Sequence, residues 1–126
     1  MSFSNTFETR VLTWVFTNGS ATRPTAWFVA LYTSAPNDAG GGTEVSGGAY
    51  ARQAVTFSVS GDTATNTGAI EYPTATAGYG TVTHVGIFDA STGGNLIAYA
   101  ALTASKTIDT GDVLRLPAGD LDVTLD

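Results

Sequence analysis

The spacing of apolar positions changes once along the chain. In NTFETRVLTWVFTN (5–18), Phe7, Val11, Leu12, Val15 and Phe16 recur on one face of an α-helix. Asn5 followed by Glu8 has the form of a capping box, and Asn18-Gly19 offers a left-handed C-cap. The Thr, Val, Phe and Trp content gives this segment little intrinsic helicity, so packing of the stripe must hold it. The preferred destination of the stripe is the core of its own domain, and the alternative is the surface of a neighbouring subunit.

From residue 26 onward the pattern is that of β-strands. AWFVALYT (26–33) is a continuous apolar run, expected to be buried on both faces. RQAVTFSV (52–59) alternates, with Val55, Phe57 and Val59 on one face. ATNTGAIEY (64–72) follows the Ser60-Gly61-Asp62 turn. TVTHVGIFD (81–89) and NLIAYAAL (95–102) flank a hairpin connection with Gly93-Gly94 at its tip. KTID, DVLRL and DLDVTL close the chain, separated by Thr110-Gly111 and Pro117-Ala118-Gly119. The expectation is an all-β fold, an antiparallel β-sandwich or jelly-roll-like domain of seven to eight strands with one N-terminal α-helix. No repeat, linker or shift of composition divides residues 1–126, so a single domain is expected. The long glycine-rich segment 34–51 reads as a flexible surface crossover whose length suggests a contact role.

Composition sharpens this picture. Apolar residues make up 43% of the chain and charged residues only 13%, about half the usual share. A surface so poor in charge suits a domain covered by partners. The net charge is −6, and the five basic residues Arg10, Arg23, Arg52, Lys106 and Arg115 are scattered. Neither nucleic acid nor an anionic membrane is an expected partner, since both require clustered cations. There are no cysteines, hence no disulfide and no zinc–thiolate site. The first residues do not have the pattern of a secretory signal, and no apolar run approaches the roughly 18 residues of a membrane span. A soluble protein made in a cytoplasm is expected.

Candidate chemistry is sparse. Gly42-Thr-Glu-Val-Ser-Gly47 begins like a phosphate-binding loop, but Gly48 and Ala49 stand where Lys and Ser/Thr are needed, and Glu44 puts a negative charge inside the cradle. His84 is the only histidine, lies within a strand pattern and has no Gly-x-Ser-x-Gly partner motif, so a hydrogen-bonded sheet residue is expected. Asp109/Asp112 belong to a turn, and Asp120/Asp122 to solvent-facing strand positions, without calcium-loop spacing. Two carboxylates facing across a cleft would be needed for a glycosidase. No catalytic residue, metal site or cofactor is therefore assigned. The candidate subunit contacts are Phe7, Val11, Leu12, Val15 and Phe16 on the helix, with Gly40, Gly41, Gly42, Glu44, Val45, Tyr50 and Arg52 in and after the crossover. Pairing of Arg52 with Glu44 would fix the base of that crossover, and a plain surface pair is equally open.

Three stretches carry a family resemblance: FVALYTSAPNDAGGGTEVSGGAYARQAVTF (28–57), NTGAIEYPTATAGYGTVTHVGIFDA (66–90) and GGNLIAYAALTASKTIDTGDVLRLPAGDLDVTL (93–125). Together they resemble a widespread family of small virion proteins of tailed bacteriophages, often labelled tail fibre protein. The resemblance implies a non-enzymatic virion structural protein, assembled in the bacterial host cytoplasm, and supplies no catalytic residues. The expected partners are its own copies, in a symmetric homo-oligomer for which a trimer is favoured, and other virion proteins of capsid or tail. The chain shows no shaft-forming repeat, so a capsid decoration (cement) protein is the leading expectation. The alternative is a tail-fibre or baseplate module touching the host surface through exposed Tyr50, Tyr72 and Tyr79.

Overall fold

The computed structural model describes residues 1–125. Its elements run β1 (Ser2–Phe3), α1 (Asn5–Phe16), β2 (Phe28–Ser34), β3 (Thr43–Glu44), β4 (Gln53–Ala54), β5 (Phe57–Ser60), β6 (Thr63–Asn66), β7 (Ile70–Glu71), β8 (Gly80–Phe88), β9 (Leu96–Ile108), β10 (Arg115–Leu116) and β11 (Asp122–Thr124). All strand pairs are antiparallel. The main sheet has the order β1-β9-β8-β2-β3, with β4 pairing the start of β2; β11-β6-β5 and β10-β7 form two smaller sheets. The all-β fold with one N-terminal helix agrees with the sequence pattern.

β2 and β8 form the centre because their sequences favour burial on both faces. Val29, Leu31 and Val85 point to one side, where they meet Ile70, Tyr72, Leu114, Leu116 and Leu121 from the smaller sheets and their connections. Ala30, Tyr32, Phe88 and Leu96 form a second cluster on the opposite side. The β8–β9 hairpin forms at the expected connection, with Asp89 receiving the Asn95 N–H and side-chain amide at its neck (2.7 and 3.0 Å). Lys106–Ile108 of KTID end β9, which bulges between the pairs Val82↔Lys106 and His84↔Ala101.

Strand boundaries differ from expectation where the chain has to change sheets. Residues 52–59 split into β4, on the main sheet, and β5, on the three-stranded sheet. Val55 is consequently buried while Val59 is exposed. Residues 64–72 split in the same way into β6 and β7. The helix also has other ends than the sequence suggests. Its N-cap is Ser4, whose Oγ accepts the Phe7 N–H and donates to the Leu96 carbonyl. At the other end Thr17 is extended, and its Oγ1 donates to Thr13 O and accepts from Gly19 N–H (2.6 and 3.0 Å), so the helix stops without a left-handed residue.

The crossover 34–51 runs along the surface, as expected, and is held there by strand pairing and hydrogen bonds. β3 pairs with the end of β2 through Tyr32↔Glu44 and Ser34↔Thr43. Val45 is buried, and its N–H reaches the Leu31 carbonyl at 2.9 Å. The Asn5 N–H donates to the Asp38 carbonyl (2.9 Å), and the Tyr99 hydroxyl donates to the Asp38 carboxylate, so the turn is tied to the helix start and to β9. Gly48 accepts from Thr76 N–H (3.0 Å) at φ +63°, and a Cβ there would stand 2.4 Å from the Ala77 carbonyl oxygen. Close backbone approach is what this glycine serves.

Gly48→Ala is expected to cost about 2–3 kcal/mol, from the left-handed backbone together with the collision. Gly47→Ala, also at positive φ but facing open space, should cost only about 1 kcal/mol. Urea unfolding of the two variants checks the difference, and equal losses would show that the Ala77 contact is not tight.

Candidate functional site

The candidate contact residues fall into two groups. Those after the glycine turn face inward and build a clamp. Arg52 Nε and Nη2 donate to the two carboxylate oxygens of Glu44 at 2.9 and 2.8 Å, and the Tyr50 hydroxyl donates to the same carboxylate at 2.6 Å. Arg52 Nη1 also donates to the carbonyls of Ala90 and Gly93 (3.0 and 2.8 Å), and its guanidinium lies 3.7 Å over the Phe88 ring. The fork therefore joins β3, the crossover exit and the β8–β9 turn. It is the one ion pair among the described residues. Of the two readings left open for Arg52 and Glu44, the structure shows the one that fixes the base of the crossover.

Electrostatics follow from this packing. Burial works to raise the Glu44 carboxyl. The hydrogen bonds from Arg52 and Tyr50, with the guanidinium charge, outweigh it and hold the group below the usual carboxylate range. Burial, reinforced by the hydrogen bond to Glu44, pushes the Tyr50 hydroxyl far up, so it remains a neutral donor.

Tyr50, Tyr72 and Tyr79 come together, but inside the domain. The rings of Tyr50 and Tyr72 stack at 6.0 Å, and Tyr79 meets Tyr50 edge-on at 5.8 Å. The Tyr72 hydroxyl donates to Val29 O and the Tyr79 hydroxyl to Pro73 O (2.7 and 3.0 Å), while Tyr50 Oη accepts the Leu31 N–H at 3.0 Å. Each polar tip is satisfied by backbone, which lets the rings fill the core. The expectation of exposed host-contacting tyrosines is corrected accordingly: Tyr72 and Tyr79 are buried, and Tyr50 is partly so. Val45, too, belongs to its own core and is not a free contact. Gly41 and Gly42 are exposed and Gly40 is half-covered.

The second group lies on α1. Phe7 alone is buried, against Ile87, Ile97 and Ala98, and Val11 is half-buried. Leu12, Val15 and Phe16 are 56%, 52% and 79% exposed, which overturns the own-core destination for that part of the stripe. Trp14, which the stripe omitted, lies two turns beyond Phe7 on the same face and is 70% exposed. The helix is anchored at its start by Ser4 and Phe7, while its last residues stay largely uncovered.

An apolar groove of about 310 Å³ opens between the main and three-stranded sheets, lined in part by Phe3, Trp27, Phe57, Val59, Ile97 and Val123. Its residues come from across the chain, so no local pattern announces it. The chemistry candidates have structural surroundings. His84 Nδ1 lies 2.8 Å from Thr83 Oγ1. Asp112 Oδ2 accepts the Asp109 N–H (2.9 Å) in the turn, and Asp122 Oδ1 accepts from the Thr65 hydroxyl (2.7 Å). Among the described residues no three His, Asp or Glu side chains gather as metal ligands, and no helix is long and apolar enough to cross a membrane.

Comparison with known proteins adds one finding. A protein-family model described as Podophage GP4 fiber I protein gp80 matches residues 2–124. No curated protein matches the chain.

The clamp predicts acid sensitivity. Because the folded-state pKa of Glu44 is lowered from 4.5, the stability it contributes is present above that ordinary value and is lost as pH falls through the lower folded value. Glu44→Gln should cost about 1–2 kcal/mol at pH 7, the edge of the carboxylate being in solvent. Denaturant titrations of both proteins between pH 6 and pH 3 should show this gap closing toward acid. A gap independent of pH would remove the ionic contribution.

Proposed function

Because the chain belongs to the family of the Podophage GP4 fiber I protein gp80, we propose that it is a non-catalytic structural module of a tailed-phage fibre, joined to its own copies and to other virion proteins. The observation that carries this reading is the exposed apolar end of α1. Four large apolar side chains within five residues of one helix face solvent. A helix apolar around so much of its circumference is normally buried, and exposed apolar patches of this kind mark protein contacts. The low charge of the chain, 13%, supports the same conclusion, since little of the surface is specialised for remaining in water.

The side chains that first suggested chemistry are engaged in turns, strands and the clamp, which supports a non-catalytic role. A capsid decoration protein is the second reading, favoured by a short β domain with a sticky helix end that would suit a repeating lattice, where many weak contacts add. The description of the matched family favours the fibre. Host contact, if this module makes it, must use surfaces other than Tyr72 and Tyr79.

Counting copies of the chain per purified particle by quantitative mass spectrometry tests the assignment. A few to a few dozen copies are expected of a fibre module. Hundreds would move it to the capsid surface, and its absence from particles would overturn the virion reading. Glycan hydrolysis lost on Asp120→Asn or Asp122→Asn would overturn the non-catalytic part.

A further inference from the structure

A cavity of about 350 Å³ lies where the glycine turn of the crossover, the start of α1 and the β8–β9 turn meet, with Thr6, Tyr32, Asp38, Phe88, Asn95 and Leu96 among its walls. Three segments far apart in sequence are tied together around it. The Asn5 N–H donates to the Asp38 carbonyl, the Tyr99 hydroxyl to the Asp38 carboxylate, and the Asn95 N–H and side-chain amide to Asp89. The volume is near the lower end of the ~300–1,000 Å³ of ligand cavities.

Tyr32 sets this cavity apart. It is only 5% exposed, yet its hydroxyl has no hydrogen-bond partner among the described residues, whereas the hydroxyls of Tyr50, Tyr72, Tyr79 and Tyr99 are all bonded. Among the described residues no fully buried side-chain oxygen lacks a partner, so the Tyr32 hydroxyl keeps an open side, and the open space beside it is the cavity that it lines. A phenol this deep in a fold ordinarily bonds to protein. Two acceptors accompany it. Asp38 has one carboxylate oxygen that Tyr99 does not use, and Asn95 turns its amide nitrogen to Asp89, which leaves its Oδ1 without a partner among the described residues. Phe88 and Leu96, which pack with Tyr32, supply the apolar wall.

We propose that this cavity binds a neutral saccharide, a pyranose ring at the end of a glycan. Ring hydroxyls both donate and accept, so one sugar serves the phenol, the carboxylate and the amide oxygen together, while its C–H face meets the apolar wall. Asp38 is the only charged side chain lining the cavity, so a phosphorylated or carboxylated sugar would meet a like charge and no cation. A single carboxylate is too few for a calcium ion. The surrounding hydrogen bonds hold the walls in place before binding, which limits the ordering cost. This inference goes beyond the virion assignment, which the copy count tests separately.

Titration calorimetry and saturation-transfer NMR with glucose, galactose, mannose and N-acetylglucosamine test it. At least one should bind in the millimolar range expected of a single ring. Tyr32→Phe removes only the unpartnered hydroxyl, so the melting temperature should hold while affinity falls about five- to tenfold. Ala39→Trp, at an exposed position on the cavity wall, should block the site and abolish binding; should it unfold, Tyr32→Phe decides alone. Failure of all four sugars to bind overturns the proposal, as does binding that a folded variant leaves unchanged. A melting temperature lowered by Tyr32→Phe would show that the hydroxyl serves the fold, and tighter binding of sialic acid or glucose 6-phosphate would overturn the neutral class.

Discussion

The fork between Arg52 and Glu44 organises the end of the domain where the chain makes its longest detour. A glycine-rich segment has a high conformational entropy to lose, and two short strands supply few hydrogen bonds to offset it. The guanidinium compensates by using all three of its nitrogens. Two bind the carboxylate and the third reaches the carbonyls of Ala90 and Gly93, with its flat face on Phe88. Only arginine offers that planar set of donors. With Glu44 fixed, the Tyr50 hydroxyl has a strong acceptor, and its ring is set against Tyr72 and Tyr79. The clamp thus carries order from a polar node at the rim into the aromatic centre of the core.

At α1 the same economy of contact is missing. Phe7 and Ser4 are well held, Val11 is half-buried and Arg10 reaches the Thr22 carbonyl, yet Leu12, Trp14, Val15 and Phe16 stay largely uncovered. The helix has poor intrinsic propensity, with Thr6, Thr9, Thr13 and Val15 among its residues. A helix of this length and composition is marginal in water. An uncovered, weakly helical and strongly apolar end is costly for a monomer. It becomes understandable when packing against another chain completes it.

The parts of the fold visible in the sequence are those specified locally. The apolar run of β2 and the β8–β9 hairpin need only burial and turn chemistry, and both formed where the pattern placed them. What stayed hidden depended on distant partners. Residues 52–59 alternate as one strand should, but β4 must pair β2 while β5 must pair β6, so the alternation is broken near Thr56. Tyr50, Tyr72 and Tyr79 looked like surface aromatics because a tyrosine is amphipathic, and only the structure shows backbone groups waiting for each hydroxyl. The pairing of Arg52 with Glu44 was legible as an option from charge alone; its burial was not. For the helix, periodicity identified the apolar face and could not say whether a sheet would reach far enough to cover it.

Outside these sites several threonine hydroxyls pair with one another at the surface. Thr63 pairs with Thr124 and Thr81 with Thr107 across neighbouring strands, and Thr56 meets Thr67. Such pairs hold register through short, uncharged side chains. A charged exterior would resist close approach by copies that each carry a net charge of −6, whereas short hydroxyl pairs leave a smooth face that other protein can cover with little desolvation cost. The uncharged threonine pairs and the exposed apolar residues of the helix end thus share one property, a low cost of desolvation on burial.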